Sequence, residues 1–294
     1  MPAMRILIAG CGYVGSELAR QLVASGHTVY GLRRNTAALP EGVAPVAADL
    51  LDPESLRGLP GGLDAAVYAA SADTYGEAGY RAAYYTGLRN VAAALAGQTS
   101  LNRLLFTSST GVYSQDDGSW LDEDSPTPAV RPTIQALLDG ESLLRDLPCS
   151  AAAVRFSGIY GPGRTRLIDS VAEGTARLDP NDDRCLNHIH RDDCAGVLAH
   201  LIGLDSIAPL YLATDCAPMP RNDLLRWIAA ELGLPEPAAL DTAEAGARPS
   251  ERGGNRRYRN QRLLDSGYRF RYPTWREGYG ALIARRRRGD STAS

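Results

Sequence analysis

Apolar and polar positions divide the first half of the chain into alternating strand-length and helix-length segments. Short apolar runs at Arg5–Ala9, Thr28–Arg33, Ala44–Ala47, Ala65–Ala70, Arg103–Thr107 and Ala151–Phe156 predict strands. They lack regular polar alternation, which suits strands covered on both faces. Amphipathic stretches at Tyr13–Ser25, Glu77–Ala96 and Thr133–Arg145 predict helices, punctuated by turns at Gly26-His27 and Gly97-Gln98. This order predicts an α/β fold: a Rossmann-type doubly wound parallel sheet with helices on both faces. After Phe156 the pattern loosens. Residues 158–180 are rich in Gly, Arg and Pro, residues 191–203 and 220–232 predict helices, 208–213 a strand, and 235–255 a loop.

The first predicted strand runs into Gly10-Cys11-Gly12-Tyr13-Val14-Gly15, and a helix follows. Strand, glycine turn and helix in that order form the context in which this spacing makes a dinucleotide site. Gly10 allows the tight turn, Gly12 lets backbone approach a pyrophosphate, and Gly15 lets the helix pack close to the strand. The pyrophosphate would rest on N–H groups at the helix start. The alternative is a turn that only joins two core elements. The second strand ends in Arg33-Arg34-Asn35-Thr36 with no acidic residue. An acid there would hold a ribose 2′-hydroxyl; arginines suit a 2′-phosphate. NADP(H) is therefore the expected cofactor, with NAD left open. Asp49-Leu50, after the third strand, stands where an acid could reach the adenine amine, unless Asp49 only forms a turn.

The chain has 294 residues and a net charge of -3, which gives no reason to expect nucleic acid or a membrane as partner. No apolar run approaches the ~18 residues of a membrane span, and the first one lacks the flanks of a signal peptide, so a cytoplasmic location is expected. The five cysteines have no ligand spacing, so no metal is expected. All 31 basic residues are arginine; the absence of lysine excludes any mechanism that needs a lysine amine.

Taken with Val67–Ser71, Asn90-Val91, Thr107–Tyr113, Arg155–Gly163 and His190–Asp193, the glycine turn and Asp49-Leu50 resemble the extended short-chain dehydrogenase/reductases, in their NAD-dependent epimerase/dehydratase branch. The resemblance runs from about residue 4 to 280. It implies a dinucleotide-binding domain at 1–157, to which part of 185–213 returns, and a smaller substrate-side region at 158–283. Residues 284–294 are expected to be a disordered basic tail. It implies that Ala69, Ala70, Ser71, Thr107, Ser108 and Tyr160 border the cofactor, and that Ser109 hydrogen-bonds the reacting oxygen. A hydroxyl that only caps the strand end is the other reading of Ser109. Related proteins dimerise through two helices, which leaves a homodimer open.

The pattern breaks at the acid/base pair. The family's Tyr-x-x-x-Lys falls, when anchored on Glu141, at Thr133 and Leu137, neither of which can do that work. Tyr84 stands where the family often carries an Asn that orders water. Replacement donors are Tyr113, Tyr84, His188 and His190, or water ordered near Ser109; the tyrosines are otherwise core and the histidines interdomain packing. Arg155, Arg164, Arg166, Arg177 and Arg184 hint at a small anionic or nucleotide-sugar-like substrate. The expected function is an NAD(P)-binding oxidoreductase, or an epimerase/dehydratase, acting on an oxygen-bearing carbon. The rival is a non-enzymatic NADP sensor that keeps the glycine turn and has lost the catalytic pair.

Overall fold

A computed structural model describes residues 2–182, 184–240 and 254–289. The chain forms two compact units: residues 1–113, 127–156 and 194–213 in the first, and 114–126, 157–193 and 214–294 in the second.

The first unit is built on strands β1 (Arg5–Ala9), β2 (Thr28–Arg33), β3 (Ala44–Ala47), β4 (Ala65–Tyr68) and β5 (Arg103–Ser109), with two later strands, Ser150–Phe156 and Leu210–Ala213. All pair in parallel, in the order Leu210–Ala213, Ser150–Phe156, β5, β4, β1, β2, β3. This is the doubly wound sheet expected from the sequence, and its strand order reverses beside β1, where such folds place ligands. Ile6, Leu7, Ile8 and Ala9 are all buried, as continuous apolar strands require. Leu7, Leu32, Tyr68, Leu88, Val91 and Phe106 share one core. Helix α1 (Tyr13–Ala24) packs on the other side, where a Cβ on Gly15 would lie 3.1 Å from Ile8.

Several boundaries differ from the sequence reading for identifiable reasons. β4 stops at Tyr68; the Ala69 N–H still donates to the Ala9 carbonyl at 2.8 Å, and Ala69 and Ala70 pack on the glycine turn. β5 runs on to Ser109, pairing Thr107, Ser108 and Ser109 with Val154, Arg155 and Phe156. The predicted helix Glu77–Ala96 is three segments: α2 (Glu77–Arg81), a π-helical turn (Ala82–Thr86) and α3 (Gly87–Leu95). The buried Tyr68 phenol causes the interruption. It donates to the Ala83 carbonyl beside Gly87, where a Cβ would sit only 2.4 Å from that hydroxyl. A side chain inserted into the i→i−4 ladder opens a helix in this way. Helix α4 (Pro132–Leu143) opens with proline at its first position.

The second unit packs helices Arg166–Ala172, Arg221–Leu232 and Trp275–Arg287 around Tyr160, Ile168, Leu224, Ile228 and Tyr279. Two short strands, Gly158–Tyr160 and His188–His190, pair in parallel beside them. The expected tail from residue 284 is corrected. Arg285, Arg286 and Arg287 form the last turn of a helix that begins with a capping box, Thr274 and Glu277. Cations at a helix C-terminus meet a favourable dipole, and Arg286 pairs with Asp169 at 2.6 Å. Residues 290–294, and residues 241–253 of the expected loop, lie outside the described residues.

Candidate functional site

The three glycines of the turn have three different environments. Gly10 has φ +89°, and a Cβ there would lie 2.5 Å from the Ala70 nitrogen and 2.8 Å from the Ala69 carbonyl carbon. Gly15 is equally closed, with a Cβ 2.7 Å from the Gly10 carbonyl oxygen. Gly12 is open: a Cβ would meet nothing nearer than that same oxygen, at 4.0 Å. Gly12 caps α1 with no side-chain hydrogen bond, and no acidic residue stands in the first turn. The helix start around Tyr13 and Val14 thus keeps room and dipole for an anion. This fits a dinucleotide pyrophosphate.

Around the turn stand the ends of β2, β3 and β4. Arg33 is half-buried and donates to the Cys11 carbonyl at 3.4 Å. Arg34 is exposed and pairs with Asp73 at 2.8 Å. Thr36 begins a short turn capped by Asn35. Asp49 accepts from the Leu51 N–H at 2.9 Å, the turn-forming role, while the Leu50 carbonyl accepts from Asn90 at 3.0 Å. Ala69 and Ala70 wall the turn, and Ser71 is exposed just beyond.

At the end of β5 the hydroxyls diverge. Ser109 is half-buried, and its Oγ accepts from the Gly111 N–H at 3.0 Å. That bond uses one lone pair and leaves the O–H to donate. Ser108 turns inward and donates to Glu141 at 2.7 Å, so the structure draws its side chain into the interior. There Glu141 receives Arg155 in a two-pronged ion pair at 2.9 and 2.6 Å. The other Arg155 amine donates to the Tyr113 hydroxyl at 2.9 Å. Tyr113 has no exposed surface, and its phenol is committed to this cluster, which removes it as a group that meets a substrate. Thr107 is half-buried at the same edge.

In the second unit a cavity of about 680 Å³ is lined by Tyr160, Arg164, Arg166, Glu173, His188 and Tyr279, among others. Tyr160 is buried and stacks on Tyr279 with ring centres 4.3 Å apart; its hydroxyl has no hydrogen-bond partner among the described residues. His188 Nδ1 meets the Tyr279 hydroxyl at 3.1 Å, and desolvation lowers its pKa to about 4. His190, buried beside Tyr160, accepts from the Asp192 N–H and is likewise lowered to about 4, chiefly by desolvation. Both rings are neutral at pH 7. Asp193 accepts from Tyr268, Arg271 and Tyr272, so it fastens the 268–272 segment. Asp215, which the sequence gave no reason to single out, is buried with Oδ2 unpartnered, and desolvation raises its pKa to about 8. The expected arginine cluster does not stand together. Arg155 is paired inside the first unit, Arg184 grips Asp182 at 2.6 Å, and Arg177 donates to the carbonyls of Gly174 and Ala176. Arg164 and Arg166 line the cavity.

Residues 6–179, more than half the chain, match the NAD dependent epimerase/dehydratase family. The chain belongs to that family. A 2-alkyl-3-oxoalkanoate reductase of Stenotrophomonas maltophilia is 29% identical over 260 residues, 79% of this chain and 77% of that one. A 3-diazoavenalumate denitrifying reductase of a Streptomyces species is 26% identical over 303 residues, 94% of this chain and 99% of that one. A solved structure from Methylobacillus flagellatus, assigned to the NAD-dependent epimerase/dehydratases, is 39% identical, covers 97% of this chain and 99% of its own, and superposes with a TM-score of 0.79. Membership in the NAD dependent epimerase/dehydratase family makes the cofactor a nicotinamide dinucleotide. No helix among the described residues is long and apolar enough to cross a membrane.

Helix α4 carries the two positions at which the sequence reading placed the family's acid/base pair. Thr133, in its first turn, is half-buried, and Leu137 is buried at 3% exposure. Neither is an acid or a base. Glu141, one turn further on, does not face a ligand: it is the partner of Arg155.

Proposed function

We propose that this protein is an NADP(H)-preferring reductase that converts the ketone of a small oxo acid into an alcohol. The observation that carries the reading is the contrast within the glycine turn, closed at Gly10 and Gly15 and open at Gly12. A turn that served only packing would have no need of an open glycine at an uncapped helix start. The bound dinucleotide would supply the hydride. Its pyrophosphate would be held by the start of α1 and its 2′-phosphate by Arg33, with Arg34 beside it; no acid at the end of β2 would repel that phosphate. Asp49 is occupied with its turn and reads the adenine with its other oxygen at most. Ser109 would donate its O–H to the ketone oxygen, and the Gly111 N–H fixes that hydroxyl's direction.

Two further points support an oxo acid. The reductase relative that covers 79% of this chain is named for a 3-oxoalkanoate. Arg155, Arg177 and Arg184, which the sequence offered for a nucleotide sugar, are committed to Glu141, to backbone carbonyls and to Asp182.

The test is calorimetric titration with NADPH, NADP, NADH and NAD, followed by NADPH oxidation with 2-methyl-3-oxobutanoate and with its ethyl ester. Tighter binding of the phosphorylated pair and faster reduction of the acid than of the ester are expected. Binding without reduction of either probe would overturn the reductase reading in favour of a cofactor sensor. No binding of any dinucleotide would overturn it altogether.

A further inference from the structure

The reductase reading leaves one role unfilled, the source of the proton. We propose that Tyr84 donates it. This inference rests on the reductase reading and adds a catalytic residue to it.

Position is the first argument. Tyr84 lies in the π-helical turn Ala82–Thr86, and the Ala72 backbone is among the groups that act on its phenol. Ala72 is two residues beyond Ala70, the residue that touches Gly10. β4 runs between β1 and β5, so the chain leaving β4 passes between the glycine turn and the edge that carries Ser109. The phenol is thus tied to the crevice at the carboxyl ends of the strands, where an open α/β sheet binds its ligand.

The second argument is how the ring is held. Tyr80 lies against it at 5.1 Å and Phe106 at 6.4 Å, while the Tyr84 backbone carbonyl lies where a Cβ on Gly140 would be 2.2 Å away. The residue is half-buried, with its ring packed against the first unit's core. The π turn that presents it is forced by the Tyr68 hydroxyl, which bonds Ala83 next to it. Single π turns inside helices occur frequently at functional sites.

The other side-chain candidates are either enclosed or not imidazolium at neutral pH. Tyr113 is enclosed, His188 and His190 are neutral at pH 7, and the chain has no lysine. Burial, with Tyr80 adding to it, keeps the Tyr84 phenol above its ordinary pKa, so it remains protonated at neutral pH. A phenol is still a far stronger acid than the product alcohol, whose acidity is roughly that of bulk water, so proton transfer to the alkoxide runs downhill. The step balances as follows. The bound dinucleotide would supply the hydride for the new C–H bond, the carbonyl π pair would move onto oxygen, and the Tyr84 O–H would break to give the alcohol. Water then reprotonates the phenolate.

The experiment compares wild type, Tyr84→Phe and, as neighbour control, Tyr85→Phe. NADPH affinity is measured by calorimetry, and reduction is followed with 2-methyl-3-oxobutanoate and its ethyl ester. The expected result is a loss of about 10²–10⁴-fold in kcat for Tyr84→Phe, with NADPH affinity and KM within threefold of wild type. Tyr85→Phe should keep the wild-type rate. An ultraviolet difference titration between wild type and Tyr84→Phe should show a phenol still protonated beyond pH ~10, its ordinary pKa. Full turnover by Tyr84→Phe, or a Tyr84 phenol already ionised at neutral pH, would overturn the assignment and leave the reductase reading standing. A wild type that binds NADPH and reduces neither probe would overturn both.

Discussion

Adding one methyl group at Gly10 and at Gly12 should have opposite consequences. At Gly10 the new Cβ would stand 2.5 and 2.6 Å from the Ala70 backbone, which cannot swing aside as a flexible side chain can, and φ is +89°. Left-handed backbone costs an L-residue roughly 1–2 kcal/mol. Forcing a methyl into packed backbone costs about 1–3 kcal/mol more. Gly10→Ala should therefore lose about 2–5 kcal/mol, a large share of the roughly 5–15 kcal/mol that holds a domain together. At Gly12, φ is -96° and the Cβ would have no neighbour nearer than 4.0 Å. Alanine is a poorer N-cap than glycine, so Gly12→Ala should lose no more than about 1 kcal/mol.

Ligand binding should invert that ranking for Gly12. A methyl group pointing into the space reserved for the pyrophosphate should weaken NADPH by at least tenfold, about 1.4 kcal/mol, although the free protein barely notices it. Urea unfolding gives the stabilities, and calorimetry on the folded fraction gives the affinities. Two results would refute the reasoning. If Gly12→Ala bound NADPH like wild type, the open space would not be the pyrophosphate site. If Gly12→Ala lost as much stability as Gly10→Ala, the glycine turn would be wholly a packing device.

Three further outcomes follow from the same geometry. Arg33→Ala should reduce the ratio of NADPH to NADH affinity by roughly tenfold to a hundredfold, since a hydrogen bond to a charged group is worth about 1.5–3 kcal/mol; an unchanged ratio in calorimetry would clear Arg33 of that role. Glu141→Leu should destabilise by about 3–5 kcal/mol, because it strands the buried Arg155, and the double variant with Arg155→Met should regain most of that loss in urea unfolding. Asp215 has a folded pKa of about 8 against an unfolded value near 3.9, so the folded state holds the extra proton between those limits. Stability should then fall as pH rises through that window, by up to about 1.4 kcal/mol per pH unit from this group, and Asp215→Asn should remove that slope from the unfolding free energy.

The sheet was legible in the sequence because each of its strands is a continuous apolar run and each connection carries a turn signal. Ile6, Leu7, Ile8 and Ala9 could only be covered on both faces. What local pattern could not supply was the partner of each polar group. Glu141 served to locate the lost Tyr-x-x-x-Lys, yet its spacing from Arg155 says nothing about the ion pair that joins α4 to a neighbouring strand. The π turn arises from Tyr68, on β4, reaching a helix fifteen residues away in sequence. Arg155, Arg177 and Arg184 lie close together along the chain and look like one cluster, but each is consumed by a different partner. The final helix was the avoidable miss. Thr274-Trp275-Arg276-Glu277 is a capping-box sequence ahead of apolar positions, and the arginines that suggested a loose tail are those a helix C-terminus favours.

The loss of lysine bears on the direction of the chemistry as well as on its parts. Epimerisation through a ketone begins with oxidation of an alcohol, which needs a base to take the hydroxyl proton. A phenol serves as that base near neutral pH only if a cation beside it lowers its pKa by several units. The groups that act on Tyr84 are burial and the Tyr80 phenol, which raise its pKa, and the Ala72 backbone, which only partly offsets them. Arg155, the one cation bonded to a tyrosine in the β5 cluster, is spent on the enclosed Tyr113. An acid of this kind can finish a reduction, because an alkoxide takes its proton readily, but it is a poor starting point for an oxidation. On the proposed assignment of Tyr84, the reductive half of the family's chemistry is the half this arrangement would serve. Installing a cation near Tyr84, rather than altering the cofactor turn, is the change that should restore the reverse direction.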